Sequence, residues 1–282
     1  NFLYNLYLFT IFYFYQRKFF SSSAFSESVS VETFLIKGGY TLKLICNKNS
    51  LYEALNNVSK AAAVKSTITA LEGIKIKLEN SALYLTGYDL EIGIKTHIPV
   101  KSSDKGEFII NSRLFIEIIR RMPTEEISME IGDNLSVTIS GGATQYSVSA
   151  LSAEEYPEIP EFDESESFSV SQSVLRNMIN QTVFAVATND TKPILTGELF
   201  EIENGYFNVV AIDGYRLAVR NESISADKDY RFVVPAKVLN EVSKLLKDDD
   251  DLTCVIHTCK KHIIFDISGY LVISRLLEGE FH

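Results

Sequence analysis

A chain of 282 residues, 46% hydrophobic and 23% charged, has the composition of a folded globular protein, which excludes a disordered or fibrous chain. The net charge of −10 excludes a protein that coats nucleic acid over its whole surface, because neutralising phosphates requires Lys and Arg. Three cysteines, Cys46, Cys254 and Cys259, are too few for a disulfide framework and favour a reducing, cytoplasmic location.

The first twenty residues are crowded with Phe, Tyr, Leu and Ile. Their longest apolar run, residues 6–15, is shorter than the roughly 20 residues that a membrane-spanning helix needs. The first methionine is Met122. We therefore predict that residues 1–41 are a non-domain or artefactual extension without membrane contact. A targeting or membrane segment is the alternative.

From residue 42 onward, the hydrophobic pattern switches between strand and helix periods. The predicted elements are a strand (42–46), a helix (Leu51, Leu55 and Val58) capped by Ser50, strands (74–78 and 108–110), a helix (113–122) and a hairpin (127–139). The same order returns later as a strand (167–170), a helix (Leu175, Met178, Ile179 and Val183), strands (199–202 and 232–234) and a helix (236–247), with a hairpin turn at Asn204-Gly205.

A shift of 124 positions aligns residues 71–117 with residues 195–241 without a gap and indicates an internal duplication. The matching pairs are Leu71 and Leu195, Gly73 and Gly197, Glu79 and Glu203, Asn80 and Asn204, Asp89 and Asp213, Phe108 and Phe232, and Glu117 and Glu241. An acidic linker, residues 154–166, separates the copies with seven acids and two prolines. We predict two α+β domains, 42–158 and 159–282, each with two helices on mostly antiparallel sheet.

Charge is segregated by element. The predicted helices carry nine bases and three acids, a net +6, which leaves −16 on the rest of the chain. The bases are Lys48, Lys60, Arg113, Arg120, Arg121, Arg176, Lys237, Lys244 and Lys247. Such helices either present an ordinary solvated face or share a surface that holds the phosphates of double-stranded DNA without reading sequence.

Several segments resemble the bacterial DNA polymerase III beta subunit family, the sliding clamps. They include Gly87-Tyr88-Asp89-Leu90-Glu91, Ile194-Leu195-Thr196-Gly197, Ile212-Asp213-Gly214-Tyr215-Arg216-Leu217-Ala218 and Ser274-Arg275-Leu276-Leu277-Glu278-Gly279-Glu280-Phe281. The resemblance runs from residue 42 to the end and implies the DNA clamp fold. Members have three such domains and close into a head-to-tail homodimeric ring, so a third clamp domain is expected to be absent from this chain.

The resemblance implies a processivity subunit that encircles duplex DNA and docks peptides of the DNA polymerase III alpha subunit and the clamp loader, with no catalytic site and no cofactor. The implied DNA-binding residues are Lys65, Arg113, Asn189 and Lys192. The implied partner-peptide pocket comprises Leu195, Ile212, Gly214, Tyr215, Arg216 and Leu217. The implied dimer edge comprises Tyr146 and Val148. Departures from the family are Pro193 and Ile194, where aromatic residues are common, and His282, where proline is common.

Other interpretations of these residues remain open. Leu195 and Leu217 are alternatively plain core residues. Gly214 alternatively serves only to allow a turn with positive φ. The recurrence of Asp89 at Asp213 indicates structural hydrogen bonds more than catalysis. A repeat-built protein-interaction module that does not bind DNA is the alternative function.

The cluster of Cys254, His257, Cys259 and His262 has residue types that bind zinc. Its spacing argues against a site, because residues an odd number apart on a strand point to opposite faces. We expect no metal there. No nucleophile with a partnered base and no Gly-rich phosphate loop is found, so we expect no enzyme activity.

Overall fold

The computed structural model describes residues 42–159, 166–188 and 192–281. The N-terminal extension predicted for residues 1–41, the predicted DNA contact Asn189 and the departure at His282 lie outside these ranges. Within them, no helix is long and apolar enough to cross a membrane.

The first half forms module 1, which contains two α-helices and nine strands. They are β1 (Leu42–Asn47), α1 (Lys48–Val58), β2 (Gly73–Glu79), β3 (Ala82–Tyr88), β4 (Ile92–Pro99), β5 (Gly106–Asn111), α2 (Ser112–Arg121), β6 (Glu126–Ile131), β7 (Ser136–Gly141), β8 (Thr144–Ser149) and β9 (Leu151–Ser152).

The second half forms module 2, which repeats this order. Its elements are β10 (Glu166–Ser171), α3 (Gln172–Thr182), β11 (Gly197–Glu203), β12 (Tyr206–Ile212), β13 (Leu217–Ser223), β14 (Tyr230–Pro235), α4 (Ala236–Leu245), β15 (Thr253–Cys259), β16 (His262–Ile267) and β17 (Tyr270–Arg275). The predicted α+β architecture, with two helices and mostly antiparallel sheet in each copy, is confirmed.

Each module splits its strands between two sheets. In module 1 the orders are β1-β6-β7-β8 and β4-β3-β2-β5-β9, and in module 2 they are β10-β15-β16-β17 and β13-β12-β11-β14. Antiparallel pairing of β17 with β4, which sets Ile273 opposite Gly93, fuses one sheet of each module into a sheet of nine strands. The junction between the modules is therefore held by main-chain hydrogen bonds and is built like the interior of a sheet.

Helices pack on the sheets within one continuous core. The apolar stripe of α1 buries Leu51, Leu55 and Val58 completely, and that of α3 buries Leu175 and Met178. These are the residues whose helical spacing predicted the buried faces. The hairpin turn predicted at residues 204–205 is also present, because Asn204 and Gly205 both adopt positive φ, as a type I′ turn requires.

The cap of α1 differs from the prediction. Asn47, the last residue of β1, accepts a hydrogen bond from the backbone N–H of Ser50 at 3.1 Å through its side-chain oxygen. Ser50 lies inside the first turn and so does not cap the helix. The short Asn side chain on extended backbone satisfies one of the free N–H groups of the first turn. Asn111 caps α2 in the same way through Leu114.

Gly73 and Gly197, matched by the 124-residue shift, open equivalent strands. A Cβ atom at Gly73 would lie 2.3 Å from the Ile109 side chain, and one at Gly197 would lie 2.4 Å from the Val234 carbonyl oxygen. Both strands therefore start where the neighbouring strand passes too closely for any side chain, which is a packing reason for glycine at both positions.

Candidate nucleic-acid interface and partner pocket

The four helices form two pairs. Helix α1 packs against α2 in module 1, and α3 packs against α4 in module 2. Of the nine bases that the sequence placed on helices, Lys60 lies in the 3₁₀ turn after α1 and Lys247 lies just after α4. Six of the nine have partners within the protein: Lys48 (Met122 carbonyl), Lys60 (Asn57), Arg120 and Arg121 (both Glu117), Lys237 (Asp89 and Glu91) and Lys244 (Glu241). Within the described residues, the side chains of Arg113, Arg176 and Lys247 have none. These three cations are free to meet an external anion.

Lys65 lies exposed in the loop between α1 and β2. Two hydrogen bonds, one before and one after Lys65, hold this loop in place. The N–H of Ala63 donates to the Leu71 carbonyl at 2.9 Å. The N–H of Ser66 donates to the Glu72 carboxylate at 3.0 Å. Arg113, in the first turn of α2, lines the same cavity of about 230 Å³ as residues 62–64 of this loop. The structure thus brings these two predicted DNA contacts to one place.

Module 2 repeats this loop. Ala187 N–H donates to the Leu195 carbonyl at 2.8 Å, which is the Ala63–Leu71 bond moved by 124 positions. Lys192 is exposed just before the 3₁₀ turn Pro193–Thr196. The two modules therefore present a basic loop at equivalent positions.

Asp213 builds the turn between β12 and β13. Its Oδ1 accepts the N–H groups of Tyr215 and Arg216, both at 3.0 Å, and its Oδ2 accepts from Arg216 Nε at 2.9 Å. The two backbone N–H groups first, and the Arg216 guanidinium second, lower the pKa of Asp213. Gly214 adopts φ +90°, which only glycine reaches without strain.

Large apolar side chains are exposed around this turn. Tyr215 is 100% exposed and Leu217 is 61% exposed, and the strand register sets Leu217 opposite Ile212. Leu195 is half-buried and packs on a small cluster with Ile194. Leu217 is thus no core residue in the described structure, whereas Leu195 belongs partly to a core cluster. All six predicted pocket residues lie at one end of the β11-β12-β13 sheet.

The turn in module 1 that matches the Asp213 turn has the same bonds. Asp89 Oδ1 accepts the N–H groups of Glu91 at 2.9 Å and Ile92 at 2.8 Å. Leu90 occupies the position of Gly214 and adopts φ +77°. The structural hydrogen bonds expected of Asp89 and Asp213 are confirmed.

Tyr146 and Val148 lie on β8, an edge strand of its sheet. Tyr146 is opposite Ile139 and Val148 is opposite Val137, so one side of β8 is paired. The other side has no strand partner within the described ranges. The same holds for the outer side of β13 in module 2.

The Cys/His cluster does not converge. Cys254 is buried on β15 whereas His257 is half-buried on the same strand, and no group of three or more metal-ligating side chains forms in the described part of the chain. Burial raises the pKa of Cys46 and of Cys254 to about 12 in each case, with neighbouring acids adding to the effect.

Two relationships were missed by the sequence analysis. Lys237, counted among the helix bases, donates across the module junction to Asp89 at 2.7 Å and to Glu91 at 2.9 Å. The guanidinium of Arg216 lies over the ring of Phe184, 5.7 Å from its centroid. The repeat of Asp89 at position 213 marked both turns, but no pattern in the sequence pairs Lys237 with Asp89 or Phe184 with Arg216.

Two family models match the chain in succession. The N-terminal domain of the DNA polymerase III beta subunit matches residues 42–160, and the central domain of the same subunit matches residues 169–282. The chain belongs to the DNA polymerase III beta subunit family.

Members of this family are similar along most of the chain. The beta sliding clamp of Halalkalibacterium halodurans is 34% identical over 252 residues, and that of Bacillus subtilis is 33% identical over 250 residues. Each match covers 85% of this chain and 66% of the relative. The chain thus spans just under two thirds of the length of these curated relatives.

Solved structures agree. A DNA polymerase III beta subunit from Eubacterium rectale superposes with a TM-score of 0.82 at 34% identity, and the Bacillus subtilis DNA polymerase sliding clamp with a TM-score of 0.82 at 32% identity. Each match covers 86% of this chain and 66% of the other. The clamp fold predicted from the sequence is therefore confirmed.

Proposed function

We propose that this member of the beta subunit family is a sliding clamp, which confers processivity on the replicative DNA polymerase by encircling duplex DNA. It has no catalytic site of its own and works in the cytoplasm. The observation that carries the proposal is the paired helices with unpartnered bases, built into two modules that a continuous sheet joins at β17 and β4.

DNA contact follows from the loops and helices. Lys65 and Arg113 from module 1, and Asn189 and Lys192 from module 2, contact phosphates in this proposal. Such contacts carry no sequence information, so the protein holds any duplex and can move along it. The acidic remainder of the chain repels DNA from other surfaces.

Partner proteins dock on module 2. The exposed Leu217 and the half-buried Leu195 and Ile212 receive short apolar peptides of the polymerase alpha subunit and the clamp loader. Gly214, Tyr215 and Arg216 complete this pocket. Homodimers close the ring through Tyr146 and Val148, because the open side of β8 offers main-chain groups to a further strand. The domains are 42–158 and 159–282.

A comparison of circular with linear DNA tests whether the protein encircles the duplex. The purified protein is loaded on nicked circular DNA by the clamp loader of its own organism and then passed through a sizing column at moderate salt. A sliding clamp stays with the circle and is lost once a restriction enzyme linearises it. Equal retention on circular and linear DNA, or no retention on either, overturns the proposal, and the latter is the result expected of a protein-interaction module without DNA binding.

A further inference from the structure

Arg216 in the pocket turn is fixed on two sides by groups of its own module. Its Nε is bonded to Asp213 Oδ2 at 2.9 Å, and its guanidinium lies over the Phe184 ring. Arg216 also anchors the turn through its main chain, since its N–H donates to Asp213 Oδ1. A long side chain that ordinarily samples many rotamers is therefore held in one place.

The rest of the guanidinium is unused. Neither Nη atom of Arg216 has a partner within the described residues, and the side chain is 52% exposed. A guanidinium with its Nε occupied still presents two N–H groups that suit a carboxylate. The Nη groups of Arg216 are thus available to a ligand in the pocket.

Phe184 has an unusual environment for a large aromatic residue. It is 58% exposed in the 3₁₀ turn Val183–Ala185, whereas the next residue, Ala185, is fully buried. The hydrophobic effect alone would bury such a ring, and its one aromatic or cationic contact within the described residues is with Arg216. The exposed ring of Phe184 is therefore in contact with the Arg216 guanidinium.

We propose that Phe184 is a positioning residue which, together with Asp213, holds Arg216 ready to bind a carboxylate on the partner peptide. The pocket then selects segments in which an acidic residue accompanies large apolar ones. This inference rests on the partner pocket of the proposed function and adds to it the chemical class of the partner.

Two synthetic peptides of ten residues test the inference. Both carry two leucines, and one carries an aspartate where the other has asparagine. Calorimetric titration of the wild-type protein should give about tenfold tighter binding of the aspartate peptide, since hydrogen bonds to charged groups are the stronger ones. Phe184→Leu, which keeps an apolar side chain but removes the ring face, should reduce that preference to about threefold. It should leave the affinity for the asparagine peptide unchanged.

Controls separate positioning from folding. Phe184→Tyr keeps the ring face and should show the same preference for the aspartate peptide as the wild-type protein. Tyr206→Ala removes another exposed aromatic residue, on β12, and should leave this preference unchanged. Loss of affinity for both peptides to the same extent in Phe184→Leu, or an unchanged preference, overturns the role of Phe184. A wild-type protein that binds neither peptide overturns the partner pocket, and with it this inference.

Discussion

Lys237 Nζ on α4 of module 2 lies 2.7 Å from Asp89 Oδ2 on the turn after β3 of module 1. Burial opposes the charge on Lys237, but the hydrogen bonds that the lysine donates to Asp89 and Glu91 outweigh burial and raise the pKa of the lysine. The ion pair therefore ties the helix layer of one module to the sheet layer of the next, beside the β17–β4 junction. Lys237, which adds to the positive charge of the helices, therefore forms ion pairs that connect the two modules.

A double-mutant cycle should measure this link. Lys237→Met and Asp89→Asn should couple by about 0.5–1 kcal/mol in urea unfolding, because the lysine is half-exposed. Asparagine keeps the oxygen that accepts the turn N–H groups. The coupling should fall when salt is raised from 0.1 M to 1 M. Lys244→Met, whose partner Glu241 lies on the same helix, should show no coupling to Asp89→Asn; coupling as large as that of Lys237 would contradict the account.

Glu198 should make stability depend on pH. Its side chain is fully buried between sheet and helix, one oxygen is bonded to Thr182 Oγ1 at 2.7 Å and the other has no partner within the described residues. Desolvation raises its pKa to about 8. The native protein therefore favours the protonated form, so its contribution is full below pH 4.5 and is lost as the pH rises to about 8.

Glu198→Gln removes this titration. Relative to the variant, the wild-type protein should lose about 3 kcal/mol of unfolding free energy between pH 5 and pH 8.5, as measured by urea denaturation at each pH. Glu203→Gln, on the exposed end of the same strand, should follow the wild-type profile. Parallel profiles of the wild-type protein and Glu198→Gln would show that the carboxyl group is ionised in the folded state.

The matched turns predict opposite effects of two substitutions. Leu90 at φ +77° carries the strain of a left-handed conformation, so Leu90→Gly should stabilise the protein by about 0.5–1 kcal/mol. Gly214→Ala, at φ +90° with no atom near the new Cβ, should cost about 1 kcal/mol through backbone strain alone. Thermal unfolding measures both. Destabilisation by Leu90→Gly would mean that its side chain contributes more than its backbone costs.

Thiol reactivity should distinguish the cysteines. Cys46 and Cys254 are buried, and each has a pKa raised to about 12, whereas Cys259 is half-buried and its Sγ lies 3.5 Å from the His262 carbonyl oxygen. Ellman's reagent at pH 8 should modify Cys259 alone in the native protein and all three cysteines in urea. A Cys259→Ser variant that still reacts rapidly when native would contradict the burial of the other two.

Much of the fold could be predicted because the sequence contains two copies of the same module. Leu71 and Leu195 recur at a fixed shift, and the carbonyl of each accepts the same loop hydrogen bond. Gly73 and Gly197 recur at that shift too, and each lies too close to the neighbouring strand for a side chain. Helical spacing located the buried faces because burial follows the helix period. The cap at Asn47 was missed, since Ser50 is as good a capping residue and only the end of the preceding strand decides between them.

The site was less accessible to sequence reasoning. The repeated Asp89 and Asp213 identified both turns, because a short carboxylate that accepts two N–H groups is a local feature. The pairing of Lys237 with Asp89 and the contact of Phe184 with Arg216 were not predictable, since the first joins residues 148 positions apart and the second forms only after the chain has folded. Long-range side-chain pairing leaves no period in the sequence.

If the basic loops and helices hold duplex DNA by its phosphates, as proposed, the affinity for DNA depends strongly on the salt concentration. Fluorescence anisotropy with two duplexes of unrelated sequence should give equal affinities that fall steeply between 50 and 200 mM salt. The double variant Lys65→Glu and Arg113→Glu should bind at least tenfold more weakly and reduce the salt slope by about 2, whereas Lys260→Glu, on an exposed turn of module 2, should bind as the wild type does. An equal loss of DNA affinity in the double variant and in Lys260→Glu, or tighter binding of one duplex than of the other, would contradict phosphate binding by these loops and helices.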